Sequence, residues 1–126
     1  MNKTYVVTGS IFICLGITLG AFGAHSLKDI LEPAELNALE TGIRYQMYHG
    51  IALIIFGVAA NQLELKRIYL YGFLYGITLF SGSIYGLTMD TLIEKDFSFL
   101  GPLTPIGGSI LIITWLFFIL KTALSK

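Results

Sequence analysis

Ionisable side chains are scarce in this chain of 126 residues, where Asp, Glu, Lys and Arg together make up only 13%. A globular domain carries about twice that share, so a fully hydrated exterior is excluded for want of residues to build it. Eight basic and eight acidic residues cancel, and without a basic excess no nucleic-acid partner is expected. Cysteine is limited to Cys14, which rules out a disulfide within the chain. Its setting, Phe12-Ile13-Cys14-Leu15, lacks the small residue that a lipoprotein signal places before its cysteine, and a buried packing thiol is expected. Histidine is limited to His25 and His49. A metal site would have to recruit Cys14, about 16 Å below His25 at helical rise, which is too far for one ion. Neither a metal nor a cofactor is expected. A phosphate-cradling loop of the GxxxxGK-[ST] kind is also missing.

What the chain has in quantity is apolar surface: 55% of its residues are hydrophobic, with a mean hydropathy of +0.76. Charged residues set off four windows that contain none of their kind, Thr4–Leu27, Tyr45–Leu63, Ile68–Met89 and Phe97–Leu120. Each runs to about 20 residues or more, the length a helix needs to cross a hydrocarbon core of roughly 30 Å. A water-soluble helical protein with every helix buried would have nothing left for its wet face. The prediction is therefore an all-α integral membrane four-helix bundle, one domain over 1–126, with spans at about 5–26, 44–63, 68–89 and 99–120. Ala21-Phe22-Gly23 after Lys3 resembles a cleaved signal. The apolar stretch exceeds a signal's core of about 7–15 residues, and a retained helix is expected.

Glu64-Leu65-Lys66-Arg67 is a short connection, which makes the second and third helices antiparallel neighbours. The longer Lys28–Arg44 segment has Pro33 where a first helical turn accepts it, followed by Leu36, Leu39 and Ile43 at helical spacing. It reads as a short amphipathic interfacial helix between the first two spans, or one running into the second span with Gly42 as a bend. Basic residues orient the whole. Lys3, Lys66, Arg67, Lys121 and Lys126 fall on one side, and Lys28, Arg44 and Lys95 on the other, with seven of the eight carboxylates. This bias predicts a multi-pass protein of the cell membrane with both termini in the cytoplasm.

In lipid, helices associate through close backbone approach, which small residues permit. Gly16, Gly20 and Ala24 recur every four residues on the first helix, and Gly72, Gly76, Gly82 and Gly86 form two such pairs on the third. Gly107 and Gly108 add a small face to the fourth. All are expected at helix contacts, a packing role with no further function required.

Depth along the predicted spans places the polar residues together. His25 ends the first helix, Arg44 opens the second, and His49 lies about 7.5 Å deeper. Ser81, Ser83 and Tyr85 sit in the same half of the third helix, and Thr104 and Pro105 open the fourth there. Polar groups at membrane depth are costly and face the interior. The plain reading of Glu40 and Arg44, four apart, is an ion pair along one helix. Ser81 and Ser83 most simply bond neighbouring helices or their own carbonyls. His49 is the leading functional candidate, because a titratable group inside a span needs a reason. The candidate polar cluster is His25, Arg44, Gln46, His49, Ser81, Ser83 and Thr104.

Four segments also carry a family resemblance: Gly20-Ala21-Phe22-Gly23-Ala24-His25, Tyr45-Gln46-Met47-Tyr48-His49, Phe80-Ser81-Gly82-Ser83-Ile84-Tyr85, and Gly101-Pro102-Leu103-Thr104-Pro105-Ile106-Gly107-Gly108. Taken together, one per helix and in this order, they resemble the signature segments of the membrane family known as domain of unknown function 423, related to eukaryotic transmembrane protein 256. The resemblance implies a four-helix membrane protein of about this length, in bacteria located in the cell membrane. It implies no activity.

Three classes of function follow from these readings. The first is a non-enzymatic accessory or assembly partner, with membrane lipids, a larger membrane complex or a second copy of the chain as partners. The second is a small oligomeric transporter or channel, in which His49 would have to carry the proton response because no carboxylate lies within a span. The third is a haem- or quinone-binding redox protein using His25 and His49 as ligands. An enzyme is not expected, since Ser81 or Ser83 with His49 matches no spacing that identifies a nucleophile and its base.

Overall fold

The structure is a computed structural model describing residues 1–125. Four helices account for most of it: α1 (Lys3–His25), α2 (Pro33–Val58), α3 (Arg67–Ile93) and α4 (Leu103–Leu124). Their ends follow from local chemistry. Asn2 caps α1 by accepting the Thr4 N–H at 3.2 Å, which satisfies one of the donors a helix start leaves open. Pro33 occupies the first turn of α2, and Glu35 reaches back to accept the Glu32 N–H at 2.9 Å. Glu94 ends α3 in the left-handed region with φ 51°. A short 3₁₀ turn, Ser98–Leu100, and Pro102 then lead into α4.

No separate interfacial helix forms. Residues 33–43 are the first turns of α2, which runs through Gly42 without a break. The reason is tertiary: Gly42 lies under α3, where a Cβ would come within 3.0 Å of the Tyr85 ring and 3.4 Å of Ile84. Close packing there outweighs the helix-weakening tendency of an interior glycine. α2 also stops at Val58, short of the expected Leu63, because the chain turns through Ala59–Leu63 to reach α3.

The helices pack in chain order, α1 on α2, α2 on α3 and α3 on α4. Aromatic side chains carry α4 across to α2, where Phe56 and Phe118 lie 4.6 Å apart, while Trp115 sits 5.0 Å from Phe73 of α3. Leu53 and Phe73 are wholly buried at the centre of this cluster. At one end Tyr5 donates to the Lys66 carbonyl at 2.8 Å, and Lys121 meets Glu64 at 2.9 Å. At the opposite end the Thr91 hydroxyl donates to Glu35. The helix starts of α1 and α3 and the helix ends of α2 and α4 therefore share one side of the molecule.

Glycines set the tightest contacts, in a register that differs from the expected one. On α1 the seam uses Gly9 and Gly16, seven residues apart, against Gly50 and Met47 of α2, while Gly57 of α2 meets Val6. A Cβ at Gly50 would lie 3.0 Å from the Gly9 carbonyl oxygen, and one at Gly16 only 2.7 Å from Met47 Sδ. Gly20 is loose, with Ile43 at 4.0 Å, and Gly82 faces outward with nothing within 4 Å of a Cβ. Apart from Gly82, the glycines expected at contacts on α3 and α4 lie against a neighbour. A Cβ at Gly72 would meet Thr114, one at Gly76 would meet Leu111 at 2.6 Å, and one at Gly107 would lie 2.8 Å from the Gly76 carbonyl oxygen. A Cβ at Gly86 would meet Leu100, and one at Gly108 would lie 3.5 Å from the Phe80 ring.

The exterior is apolar. Ile17, Ile55, Ile112, Leu116 and Phe117 are all more than half exposed. Cys14 is exposed as well, not buried as expected; α1 packs chiefly on α2, so only one face of it is covered. Three stretches, Lys3–His25, Arg67–Ile93 and Ser98–Leu124, are long and apolar enough to cross a membrane. α2 is the most polar of the four and packs between α1 and α3.

Candidate functional site: a layer of interhelical hydrogen bonds

α2 carries the centre of the polar layer because it packs between α1 and α3. Gln46 is 5% exposed and spans both neighbours. Its Nε2 donates to the Phe12 carbonyl of α1 at 2.8 Å, and its Oε1 accepts the Tyr85 hydroxyl of α3 at 2.8 Å. Gly16 makes the first bond accessible. A side chain one turn beyond Phe12 would crowd that carbonyl, and a Cβ at Gly16 would stand 3.6 Å from Gln46 Nε2.

His49 is fixed from both ring nitrogens. Trp115 donates its indole N–H to His49 Nε2 at 3.0 Å, and His49 Nδ1 lies 2.7 Å from the Tyr45 carbonyl. An indole can only donate and a carbonyl can only accept. The pair of partners therefore assigns the proton to Nδ1 and the lone pair to Nε2, a neutral imidazole in one tautomer. Phe73 and Trp115 cover the ring at centroid distances of 5.6 Å and 6.0 Å.

The serines face different neighbours. Ser81 donates to the Gly42 carbonyl of α2 at 2.7 Å. Ser83 donates to its own helix at Phe80 O, 3.0 Å away, which makes Thr104 of α4 the donor in the 2.6 Å contact between the two hydroxyls. Each buried polar side chain thus ties one helix to another or to its own backbone. Among the described residues no buried side-chain nitrogen or oxygen lacks a partner.

Five of the seven sequence-derived candidates, Gln46, His49, Ser81, Ser83 and Thr104, come together in this layer. His25 and Arg44 do not. His25 is exposed at the end of α1, and Arg44 is exposed on α2 beside a cleft shared with Glu40. The expected Glu40–Arg44 ion pair is not formed; the ion pair among the described residues joins Lys121 to Glu64. Exposed pairs one turn apart gain only a few tenths of a kcal/mol, which does not immobilise two long side chains. Among the described residues no group of three or more His, Cys, Asp or Glu side chains could hold a metal ion.

Trp115 and Tyr85 complete the layer, and sequence reasoning gave neither its role. A signal existed for Trp115. It is the one tryptophan of the chain and lies mid-helix, away from the boundary belts where tryptophan collects, so its N–H needs an internal acceptor. On the outer side of His49 and Trp115, Tyr45, Phe80, Leu111 and Ile112 bound an open apolar groove of about 410 Å³.

Comparison with known proteins places these segments in a family. The model of a family described as "Protein of unknown function (DUF423)" matches residues 19–108. A UPF0382 membrane protein of Bacillus subtilis is 37% identical over 90% of this chain and 91% of its own. One of Staphylococcus haemolyticus is 35% identical over 95% of both chains, and one of Haemophilus influenzae 38% identical over 83% of this chain and 80% of its own. No solved structure matches. The match runs from the glycine-rich end of α1 through Gln46, His49, Ser81, Ser83 and Thr104 to Gly108, and on that ground the chain belongs to the DUF423 family, whose relatives here bear the name of UPF0382 membrane proteins.

Proposed function

We propose that the chain crosses the cell membrane four times as a helix bundle, with both termini in the cytoplasm, and serves as a non-enzymatic accessory or assembly partner within a larger membrane complex. One observation carries this reading: the inward polar side chains are all consumed by bonds to other helices or to their own backbone. Gln46, His49, Ser81, Ser83 and Thr104 each have a protein partner, so the layer acts as internal glue. α2 supports the fourth crossing through its outward face, where Tyr45, Tyr48, Ile51, Ile55 and Val58 are apolar and exposed. Its polar groups turn inward, as intramembrane polar groups do.

The two other readings require this layer to open. A haem iron would need a free nitrogen on His49, yet Nδ1 faces Tyr45 O and Nε2 faces Trp115. Proton-coupled transport would need Nε2 to gain a proton that points at an indole N–H. Purification from mild detergent, followed by mass spectrometry of everything retained, tests the proposal. A partner protein at fixed stoichiometry is the expected result; a chain that purifies alone under every mild condition overturns it.

A further inference from the structure

Every buried side-chain nitrogen and oxygen among the described residues has a hydrogen-bond partner, which leaves the charged rim of α2 without a role. Glu40 and Arg44 stand one turn apart there, both exposed, and neither takes part in an ion pair among the described residues. They line one cleft of about 310 Å³ between the end of α1 and the start of α2, walled by Gly20, Gly23, Leu39 and Ile43. The cleft opens where the two helices ease apart beyond Gly16, before Gly23 closes on Leu39, 3.2 Å from where its Cβ would stand. A Cβ at Gly16 would collide with Met47 Sδ at 2.7 Å, whereas at Gly20 it would meet only Ile43 at 4.0 Å.

We propose that this cleft binds one zwitterionic phospholipid with a primary ammonium headgroup, phosphate on Arg44 and ammonium on Glu40, with an acyl chain along the glycine wall. The inference rests on the four-span reading, which puts Arg44 at the membrane boundary. Charge order is the argument. Moving outward along α2, the cation comes first and the carboxylate follows about 6 Å beyond at helical rise. A phospholipid has the complementary order: apolar chains, then phosphate, then ammonium, the two charges separated by two carbons. A guanidinium holds a phosphate through paired N–H donors, and a primary ammonium offers N–H groups to a carboxylate, which a trimethylated one does not. Because the exposed Glu40 and Arg44 side chains hold each other weakly if at all, a ligand carrying both charges displaces no strong pair.

Native mass spectrometry of the full chain in mild detergent tests this, with equimolar dioleoyl phosphatidylethanolamine, phosphatidylcholine and phosphatidylglycerol as probes. The expected result is one phosphatidylethanolamine per chain, retained at least about fivefold over the other two. Arg44→Gln should lose that lipid. Glu40→Gln should level it with phosphatidylglycerol. Gly20→Leu, which fills the cleft and leaves both charges, should lose all three, with helical circular dichroism and monodisperse elution confirming that each variant folds. Equal retention of phosphatidylglycerol by the native chain would reveal an anion site on Arg44 alone and overturn the proposal, as would retention indifferent to the three substitutions. Single cysteines at positions 25 and 104 in a Cys14→Ser background separate the two levels of failure. Labelling from opposite membrane faces sinks the four-span reading itself, whereas labelling from the same face without headgroup preference sinks only the lipid site.

Discussion

Trp115 and His49 hold each other in one arrangement, and the consequences are measurable. Replacing Trp115 with Phe keeps the aromatic bulk against Phe56 and Phe73 and removes only the donor that faces His49 Nε2. A buried acceptor left without its partner costs about 1–3 kcal/mol, so unfolding in denaturing detergent should become easier by about that amount. The same substitution frees the tautomer: nitrogen NMR should find the proton on Nδ1 alone in the native chain and on both positions in the variant. An unchanged spectrum would remove the assigned tautomer. Glycine contacts differ just as sharply from one position to the next. Gly107→Ala drives a methyl against the α3 backbone, 2.8 Å from Gly76 O, and should cost about 1–3 kcal/mol. Gly82→Ala meets open space and should stabilise α3 by up to about 1 kcal/mol. Equal effects at the two positions would contradict the α3–α4 register.

Between elements, Glu35 joins the start of α2 to the end of α3. The Thr91 hydroxyl and then the Glu32 N–H donate to its carboxylate, which holds Glu35 below the usual glutamate range. A carboxylate whose folded value is depressed contributes stability that is present above its ordinary value of 4.5 and lost as pH falls through the lowered folded value. Acidification below that range should therefore loosen this end of the α2–α3 pair. Carbon NMR of the Glu35 carboxyl should show a low titration midpoint that returns toward the ordinary value in Thr91→Val. A midpoint unmoved by that substitution would assign the depression elsewhere. The opposite end has its own exposed clamp, Lys121 on Glu64, so each side of the molecule has one surface tie between elements distant in sequence.

For the molecule as a whole, charge separates by end. The side where α1 starts holds Lys3, Lys66, Arg67 and Lys121, with Glu64 as its single carboxylate side chain among the described residues; the other carboxylates all lie at the far side. The positive-inside rule supports the proposal that the first side faces the cytoplasm. In intact cells carrying a Cys14→Ser background, an impermeant maleimide should label a cysteine at Ser98 and spare one at Gln62. The reverse pattern would invert the proposed orientation while leaving the fold untouched. Both positions are exposed, so access to the reagent reports topology and not burial.

Sequence alone determined the helical class, because charge-free windows of helix length are a property of the chain in one dimension. The gathering of Gln46, His49, Ser81, Ser83 and Thr104 at similar depth was legible for the same reason: antiparallel helices of known rise place residues by counting. Tertiary structure decided everything that depends on which face meets which neighbour. Cys14 turned outward because α1 packs chiefly on α2, a fact absent from its local sequence. The α1 seam took Gly9 and Gly16 with Gly50, seven-residue spacing in place of four, because register is a property of the pair. Gln46 found Phe12 and Tyr85, and His49 found Trp115, across helices separated by dozens of residues, and those partners are what fix each hydrogen bond, its direction and its chemistry.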